Sequence, residues 1–333
     1  MVGRGQPCLH CIGASTLAPS APLAAPLSHR VVRVPSDSDV FRVPVGPGTM
    51  HVERYGYGGD PIVLLHGFGT SAFLWRQVGP LLAVRQATAY AVDLFGYGES
   101  DRPFDADFGV RAQAAYLDDA LTALQLPRAT MVGMDIGGAV ALRLAFDRPE
   151  RVSRLVLVGP PALNDLAGAE IRELQRDTAR YALRLSRGLF GASSLLTPFL
   201  EDSVSDHQRM SAALIGRYLA PYLGREGANH LLALAGALEE EELEDLELSA
   251  IRQETLVIRG TRDRWCSRAV AEDYAERLAS GHYEHVDEVG RLVAEEAPEM
   301  LAALVLSFLR RTRPQGEGRE RSGDPARNVG ERK

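Results

Sequence analysis

The sequence predicts an α/β protein, with a mostly parallel sheet flanked by helices and an all-helical insertion near its middle. Three observations support this fold class. Short apolar runs alternate with helix-like segments from residue 62 to residue 159, the alternation resumes at residue 255, and the stretch 162–248 contains no strand-like run. Strands that alternate with helices pair in parallel, because each helix carries the chain back to the same end of the sheet.

The strands before the insertion begin with two runs that predict an antiparallel start, DVFRVPV (39–45) and TMHVERYG (49–56). Four buried strands are then predicted from short apolar runs, at 62–66, 87–93, 129–134 and 154–159. Apolar residues at helical spacing predict the helices between these strands, around 74–82 and over 111–124 and 137–147.

The insertion divides the predicted core into two segments, residues 31–161 and residues 249–312. The second segment contains strands at 255–260 and 283–290, followed by a helix over 298–310. Residues 162–248 between the two segments are predicted to form a separate helical domain.

Both ends of the chain are predicted to be disordered. Residues 1–30 are rich in Ala, Pro and Ser and lack the continuous apolar core of a signal peptide, and residues 313–333 are polar. Cys8 and Cys11 form a Cys-x-x-Cys pair without a second Cys or His pair, so no metal site is predicted.

The composition excludes several classes of function. The chain has 333 residues and a formal net charge of −7, and its basic residues are scattered, which argues against a nucleic-acid partner. It contains no apolar run of about 18 residues, so no membrane span is expected. Three cysteines fit a reducing compartment, and we expect a cytoplasmic protein that needs no cofactor. The oligomeric state does not follow from the sequence.

The segment VGMDIGG (132–138) connects a predicted strand to a predicted helix through Gly-x-Asp-x-Gly. This pattern is typical of a nucleophile elbow, which needs Gly133 and Gly137 because a Cβ would collide in so tight a turn. The apex residue, Asp135, would lie at a helix N-terminus, where backbone N–H groups stabilise negative charge. A carboxylate at this place could also be a simple helix N-cap, and the motif alone leaves both interpretations open.

Other motifs carry a resemblance to a known family. LLHGFG (64–69), VDLFGYGESDRP (92–103) and VIRGTRDRW (257–265) each follow a predicted strand. Together with the elbow, they make residues 40–312 resemble the α/β-hydrolase fold. SAFLWRQV (71–78) and the aspartate elbow are similar to the branch that contains haloalkane dehalogenases and epoxide hydrolases.

The resemblance implies a mechanism of two steps on a small hydrophobic organic substrate. Asp135 would attack an electrophilic carbon and form an alkyl ester, which a histidine oriented by Asp263 would hydrolyse by activating water. The backbone N–H groups of Phe68 and Ile136 would form the oxyanion hole. Residues 162–248 would be the cap that shapes the substrate pocket.

The chain departs from the family at the histidine. The family has a Gly-His dipeptide before its last helix, whereas this chain has Gly290 followed by Arg291. Arginine keeps its proton and cannot act as a general base. We expect the guanidinium to lie between Asp135 and Asp263 and to pair with one or both of them.

No other histidine is favoured as a replacement base. His282 and His285 lie on the last predicted strand, His66 is expected under its own loop, and His207 and His230 belong to the predicted cap. A second departure concerns the leaving group, because Ile136 replaces the tryptophan that commonly follows the nucleophile in the family. Residues considered for the substrate pocket, including phenols that could protonate an epoxide, are His66, Trp75, Tyr181, Tyr218 and Tyr222, whereas Trp265 is expected to serve packing.

Three functions therefore remain open on the sequence alone. The first is a hydrolase that uses Asp135 and has an atypical or impaired hydrolytic step. The second is a lyase, isomerase or cyclase on the same scaffold, which would need no water-activating base. The third is a catalytically silent member that binds a ligand, since a fold does not settle a function.

Overall fold

The computed structural model of the protein describes residues 38–83, 87–178, 181 and 191–312. The predictions of disorder for residues 1–30 and 313–333, and the pair Cys8 and Cys11, lie outside the described residues.

The core is an eight-stranded sheet. In chain order its strands are β1 (Asp39–Val45), β2 (Gly48–Tyr55), β3 (Asp60–Leu65), β4 (Ala87–Val92), β5 (Ala129–Met134), β6 (Val152–Val158), β7 (Thr255–Gly260) and β8 (Gly281–Val286). The spatial order is β1-β2-β4-β3-β5-β6-β7-β8. The pairs β1–β2 and β2–β4 are antiparallel and all the others are parallel, which confirms the predicted fold class.

Helices of the described residues pack around this sheet or cover one of its ends. They are α1 (Val78–Ala83), α2 (Val110–Ala123), α3 (Ile136–Asp147), α4 (Gly168–Gln175), α5 (Ser193–Asp202), α6 (Ala212–Leu219), α7 (Gly224–Gly236), α8 (Arg268–Arg277), α9 (Val293–Glu296) and α10 (Pro298–Arg311). Among the described residues, no helix is both long enough and apolar enough to cross a membrane.

The central strands are buried because helices cover both faces of the sheet. Every residue of β5 is buried, and so are all residues of β7 except Arg259. Continuous apolar runs such as these are typical of parallel strands with two covered faces. The carboxyl ends of the parallel strands therefore lie together at one edge, and the loops that follow them meet there.

The structure differs from the sequence predictions mainly at the ends of elements. The predicted helix around 74–82 is divided into a 3-10 turn (Ala72–Trp75) and α1, and Pro80 lies in the first turn of α1, where its missing N–H leaves no bond unmade. Strand β8 ends at Val286 and not at residue 290, because the chain turns there and Glu288 adopts a φ of 58°.

The described part of the segment between β6 and β7 consists of helices joined by loops and contains no strand. It contains α4 to α7 and short 3-10 turns, and its only described β contact is an isolated bridge between Ala162 and Asp165. Strands β6 and β7 pair in parallel, with Leu155 opposite Thr255, so the sheet is continuous across the insertion.

Candidate active site

The sharp turn between β5 and α3 is centred on Asp135. Its φ of 52° and ψ of −123° place a residue with a Cβ in a region that few such residues adopt, at a cost of about 1–3 kcal/mol. Backbone bonds impose this conformation: the Asp135 N–H donates to the carbonyl of Val158 at 3.0 Å, and its own carbonyl accepts from Gly138 at 2.8 Å. The Asp135 side chain makes no capping hydrogen bond to α3, so the simple N-cap interpretation is wrong.

The two glycines of the motif are required by close backbone approach. A Cβ on Gly133 would lie 2.3 Å from the carbonyl oxygen of Gly137, and one on Gly137 would lie 2.5 Å from the carbonyl oxygen of His66. Contacts this short would force the backbone to move, because no side-chain rotation could relieve them. The turn therefore brings Asp135 directly against the loop that follows β3.

Both carboxylate oxygens of Asp135 are engaged by donors. Oδ2 accepts a hydrogen bond from the backbone N–H of Phe68 at 2.9 Å, and Oδ1 forms an ion pair with Nη2 of Arg291. The Asp135 side chain is only 3% exposed. The structure thus brings Phe68, Asp135 and Arg291 together, and Ile136 lies beside them, buried, at the first position of α3.

The Arg291 guanidinium occupies a buried site with an aromatic lining. Its carbon lies 4.9 Å from the ring centroid of Trp265 and 5.2 Å from that of Phe199, distances that suit cation–π attraction. Nη2 pairs with Asp135, whereas Nη1 is buried and has no hydrogen-bond partner among the described residues. One terminal nitrogen of the guanidinium therefore has an ion-pair partner, and the other has no hydrogen-bond partner among the described residues.

The second predicted acid, Asp263, lies in the loop after β7 and is buried. Its Oδ1 accepts from the N–H groups of Trp265 at 2.8 Å and Cys266 at 3.1 Å, and its Oδ2 has no partner in the described part of the chain. Burial raises the pKa of the Asp263 carboxyl, although the charge of Arg291 and the bonds to Oδ1 act in the opposite direction.

We expected Arg291 to pair with one or both carboxylates, and among the described residues it pairs with Asp135 and not with Asp263. No ion pair joins Arg291 and Asp263 among the contacts of the described residues. The reason is geometric. The loop of Asp263 turns Oδ1 toward its own backbone, and the guanidinium is directed at Asp135 and the two aromatic rings.

Asp135 and Arg291 border a cavity of about 210 Å³. This volume is below the usual range for ligand pockets, about 300–1,000 Å³, so a substrate would be small. The other walls come from the loops after β6 and β7 and from the start of the helical segment: Gly159, Pro160, Pro161, Ala162, Asp165, Leu166, Ala167, Gly168, Ala169, Glu170, Arg264 and Trp265. Trp265, which we expected to serve packing alone, forms part of the wall.

None of the five residues considered for the substrate pocket lines this cavity. His66 lies under its loop, with Nδ1 2.8 Å from the carbonyl oxygen of Gly67 and Nε2 accepting from the Leu94 N–H at 3.1 Å. Burial lowers the pKa of His66 to about 4, so its ring is a neutral structural element. Trp75 is fully buried in the core.

The three tyrosines considered for the pocket differ in exposure and in hydrogen bonding. Tyr181 is 64% exposed, and the hydroxyl of Tyr218 donates to Glu295, which also binds Arg76. Tyr222 is buried, and its hydroxyl has no partner among the described residues. Of the three, only Tyr222 keeps a buried hydroxyl that is free to bind something else.

Sequence reasoning missed two aromatic residues near the site. Tyr97 packs edge-on against Phe68, with ring centroids 6.4 Å apart, and its buried hydroxyl has no described partner. Burial raises the pKa of Tyr97 well above its usual value, and the charges of Tyr222 and Asp135 add to the effect. An aromatic residue between the two glycines of FGYG was a signal for Tyr97, whereas nothing in the sequence indicated Phe199.

The other candidate histidines of the described residues contact groups other than Asp135. His230 is within 2.6 Å of the Gly96 carbonyl oxygen, and the remaining candidates pair with acidic residues at the surface, His207 with Asp202, His282 with Glu254 and His285 with Asp287. Within the described part of the chain, no group of three or more His, Cys, Asp or Glu could hold a metal ion.

Comparisons with known proteins find relatives that are similar in sequence or in fold. A haloalkane dehalogenase of Mesorhizobium japonicum is 27% identical over 300 residues, which cover 79% of this chain and 92% of that protein. A 2-hydroxy-6-oxo-2,4-heptadienoate hydrolase of Pseudomonas putida is 42% identical over 104 residues, 30% of this chain and 37% of that protein. The solved structure of an epoxide hydrolase, CorEH without ligand, has a TM-score of 0.70 at 23% identity and covers 83% of this chain and 100% of that chain.

The extent of these matches decides what they show. Curated relatives at 40–42% identity align over only about a third of their own length, 30–37%. The family model for the alpha/beta hydrolase fold, in contrast, matches residues 60–298, which include β3 to β8 and every residue of the site described above. The chain therefore belongs to the alpha/beta hydrolase fold family.

Proposed function

We propose that the protein is a hydrolase-type enzyme in which Asp135 is the nucleophile and forms an alkyl ester with a small organic electrophile. One observation carries this proposal: a buried carboxylate at a strained turn, with Oδ2 held by the Phe68 N–H at 2.9 Å, borders a cavity. Strain in the backbone is retained mainly where surrounding structure holds a reactive group in place. A carboxylate needed only for folding would not require this conformation.

The first step is displacement at carbon. A lone pair of Asp135 attacks an sp³ carbon of the substrate, and the bond from that carbon to its leaving group breaks. The Phe68 N–H and Arg291 orient the carboxylate, but the ion pair with Arg291 also competes for its electrons. Formation of the neutral ester removes the charge that Arg291 pairs with, so we expect esterification to be slower than at a site without this cation.

The second step is impaired because Arg291 stands where the family has imidazole. A guanidinium stays protonated and cannot accept a proton from water. Ester hydrolysis would then be slow, and the ester would accumulate when substrate is in excess. Replacement of Arg291 by histidine would restore a base beside Asp263.

The kind of leaving group depends on which hydrogen-bond donors can reach it. Haloalkane dehalogenases and an epoxide hydrolase are among the similar proteins. Ile136 supplies no side-chain donor, and the indole N–H of Trp265 already donates to Glu170. Tyr97, which packs on Phe68, and Tyr222 have buried hydroxyls without described partners, and burial keeps both protonated. Neither side chain lines the cavity itself. A phenol that reached the substrate would favour an epoxide, whose oxygen must be protonated when the ring opens.

A second candidate is a lyase, isomerase or cyclase on the same site. The same arginine favours it, because a reaction in which Asp135 only transfers a proton forms no ester and needs no water-activating base. In this case product would be released and Asp135 would stay unmodified.

Intact-mass spectrometry tests the proposal. The protein is incubated with bromoalkanes and terminal epoxides, and the modified peptide is then sequenced. We expect one adduct per chain, on Asp135, and none on the Asp135→Asn variant. Turnover of the same substrates without any adduct would favour the second candidate, and the absence of both adduct and turnover would contradict the proposed nucleophile.

A further inference from the structure

Two bare polar atoms lie beside the ion pair of Asp135 and Arg291. Nη1 of Arg291 and Oδ2 of Asp263 are both buried and have no hydrogen-bond partner among the described residues. The Arg291 side chain is 6% exposed, and Asp263 as a whole residue is 5% exposed. Guanidinium nitrogen only donates and ionised carboxylate oxygen only accepts, so the two atoms match the oxygen and one proton of a single water molecule.

The backbone places these two side chains on adjoining loops. The N–H of Arg262 donates to the carbonyl of Val289 at 2.8 Å, which joins the loop after β7 to the loop after β8. A Cβ on Gly260 would lie 2.2 Å from the carbonyl oxygen of Gly290, so the two loops touch. Asp263 and Arg291 follow these contacts by one to three residues on their own loops.

The bare oxygen of Asp263 faces the wall of the cavity. Gly159 adopts a φ of 53°, and a Cβ there would lie 2.9 Å from Oδ2 of Asp263. Gly159 lines the same cavity as Asp135 and Arg291. Gly159 is therefore a residue of the cavity wall that lies next to Oδ2, which is itself buried.

We propose that Asp263 is the general base of the second half-reaction and acts through a water molecule held between its Oδ2 and Nη1 of Arg291. This inference rests on the proposed function, since it needs an ester on Asp135. It assigns Asp263 a different task from the one that the resemblance implies, where the acid only orients a histidine.

Atoms and protons balance in this step. The water oxygen bonds to Cγ of the Asp135 ester while its proton passes to Oδ2 of Asp263, and the tetrahedral oxyanion is stabilised by backbone N–H groups such as that of Phe68. The bond from Cγ to the alkyl oxygen then breaks, and that oxygen takes the proton back from Asp263 and leaves as an alcohol. The carboxylic acid of Asp135 loses its proton to solvent and pairs again with Arg291.

The surroundings of Asp263 suit this task. Burial raises the pKa of its carboxyl, which makes it a stronger base than an exposed aspartate. Arg291 and Arg259, whose charges act on Asp263, stay protonated, and burial raises the pKa of the neighbouring Cys266 to about 12. Asp135 carries no charge while it is esterified. The pH dependence of ester loss therefore reports Asp263.

The experiment measures ester formation and ester loss separately. Wild-type protein is mixed with styrene oxide or bromobutane, unreacted compound is removed, and the adduct is followed by intact mass at several pH values. In Asp263→Asn we expect ester to form as before and to disappear about 10²–10⁴ times more slowly, the usual contribution of a general base. Wild-type ester loss should fall as pH decreases through the raised pKa of Asp263, and the variant should lose this dependence.

Asp273→Asn is the matched control, because it removes the same charge from an exposed position on α8, where Asp273 pairs with Arg277. It should leave both rates unchanged. Ester that forms but disappears equally fast in Asp263→Asn, or never disappears in the wild type, would overturn the role of Asp263 and leave the nucleophile standing. No adduct with any electrophile would overturn the proposed function, and this inference with it.

Discussion

Asp135 and Asp263 are both buried at the carboxyl edge of the sheet, and their hydrogen-bond environments are opposite. Asp135, after β5, has donors on both oxygens and a cation as one of them. Asp263, after β7, has backbone donors on one oxygen and nothing described on the other. The donors on Asp135 hold its carboxylate in a fixed orientation, whereas burial raises the pKa of the Asp263 carboxyl. The difference assigns attack at carbon to the first and proton transfer to the second.

The largest effect should come from removal of the first aspartate. Asp135→Ala deletes the only group that we expect to bond to substrate carbon, so adduct formation should fall below detection by intact mass. Asp263→Ala should still form adduct. Equal adduct formation in the wild type and in Asp135→Ala would contradict the role of Asp135 as nucleophile.

The second effect concerns the missing base. Arg291→His places an imidazole between the two aspartates and removes the cation that competes for Asp135. We expect loss of the ester to be faster than in the wild type, where Asp263 is the proposed base, because an imidazole is a stronger base than a carboxylate. Steady-state release of alcohol or diol measures this. Arg291→Gln is the control, since it also removes the cation but supplies no base, and a gain of the same size in both variants would contradict the explanation.

The third effect is on stability. Arg291→Met leaves Asp135 as an uncompensated buried charge, which should lower the free energy of unfolding by about 3–5 kcal/mol in urea titrations. Arg291 also packs on Trp265 and Phe199, contacts that methionine partly keeps. The double variant Asp135→Asn with Arg291→Met should recover most of the loss. A double variant as unstable as the single one would show that packing outweighs the ion pair.

The fourth effect is the pH dependence of stability that Asp263 produces. Because burial raises the pKa of Asp263 in the folded state, the folded protein binds this proton more tightly than the unfolded chain. The contribution of Asp263 to stability is therefore largest below its unfolded pKa and is lost as pH rises through the folded pKa. We expect Asp263→Asn to gain stability relative to the wild type over that interval, by about 1.4 kcal/mol for each pH unit between the unfolded and folded pKa values. A constant difference between the two stability curves would argue against a raised pKa at Asp263.

The smallest expected effect separates a tyrosine hydroxyl that has a hydrogen-bond partner from one that has none among the described residues. Tyr218 donates to Glu295, so Tyr218→Phe should lower the free energy of unfolding by about 1 kcal/mol or more. Tyr222→Phe removes a hydroxyl without a described partner and should leave stability nearly unchanged. If Tyr222 protonates the epoxide oxygen, this variant should slow adduct formation with epoxides and not with bromoalkanes.

Part of this site could be predicted from the sequence because the signals are local. A Gly-x-Asp-x-Gly turn needs its glycines for contacts within a few residues and with the preceding strand, so the position of Asp135 follows from the motif and the strand before it. The loop after each parallel strand reaches the same edge of the sheet, which is why Phe68, Asp135 and Arg291 could be expected together from strand order alone.

Other features depend on long-range packing and were missed or predicted wrongly. Tyr218 was considered for the pocket, but its hydroxyl donates to Glu295, a residue far along the chain. Trp75 was also considered for the pocket and is in the core, whereas His66 lies under its loop as the motif predicts. Phe199 contacts the guanidinium from α5, and spacing along the sequence carries no information about which helix covers the site.

The sequence by itself determined the parallel core, the strained turn at Asp135 and the replacement of a base by Arg291, because each depends on residue type and on the order of the elements. Only the tertiary structure decided which carboxylate the guanidinium binds and which buried atoms stay bare. A change of about 1 Å decides whether two polar atoms form a hydrogen bond, and that separation is set by how loops from β3, β5, β7 and β8 pack against one another. The local sequence of each loop does not determine this separation.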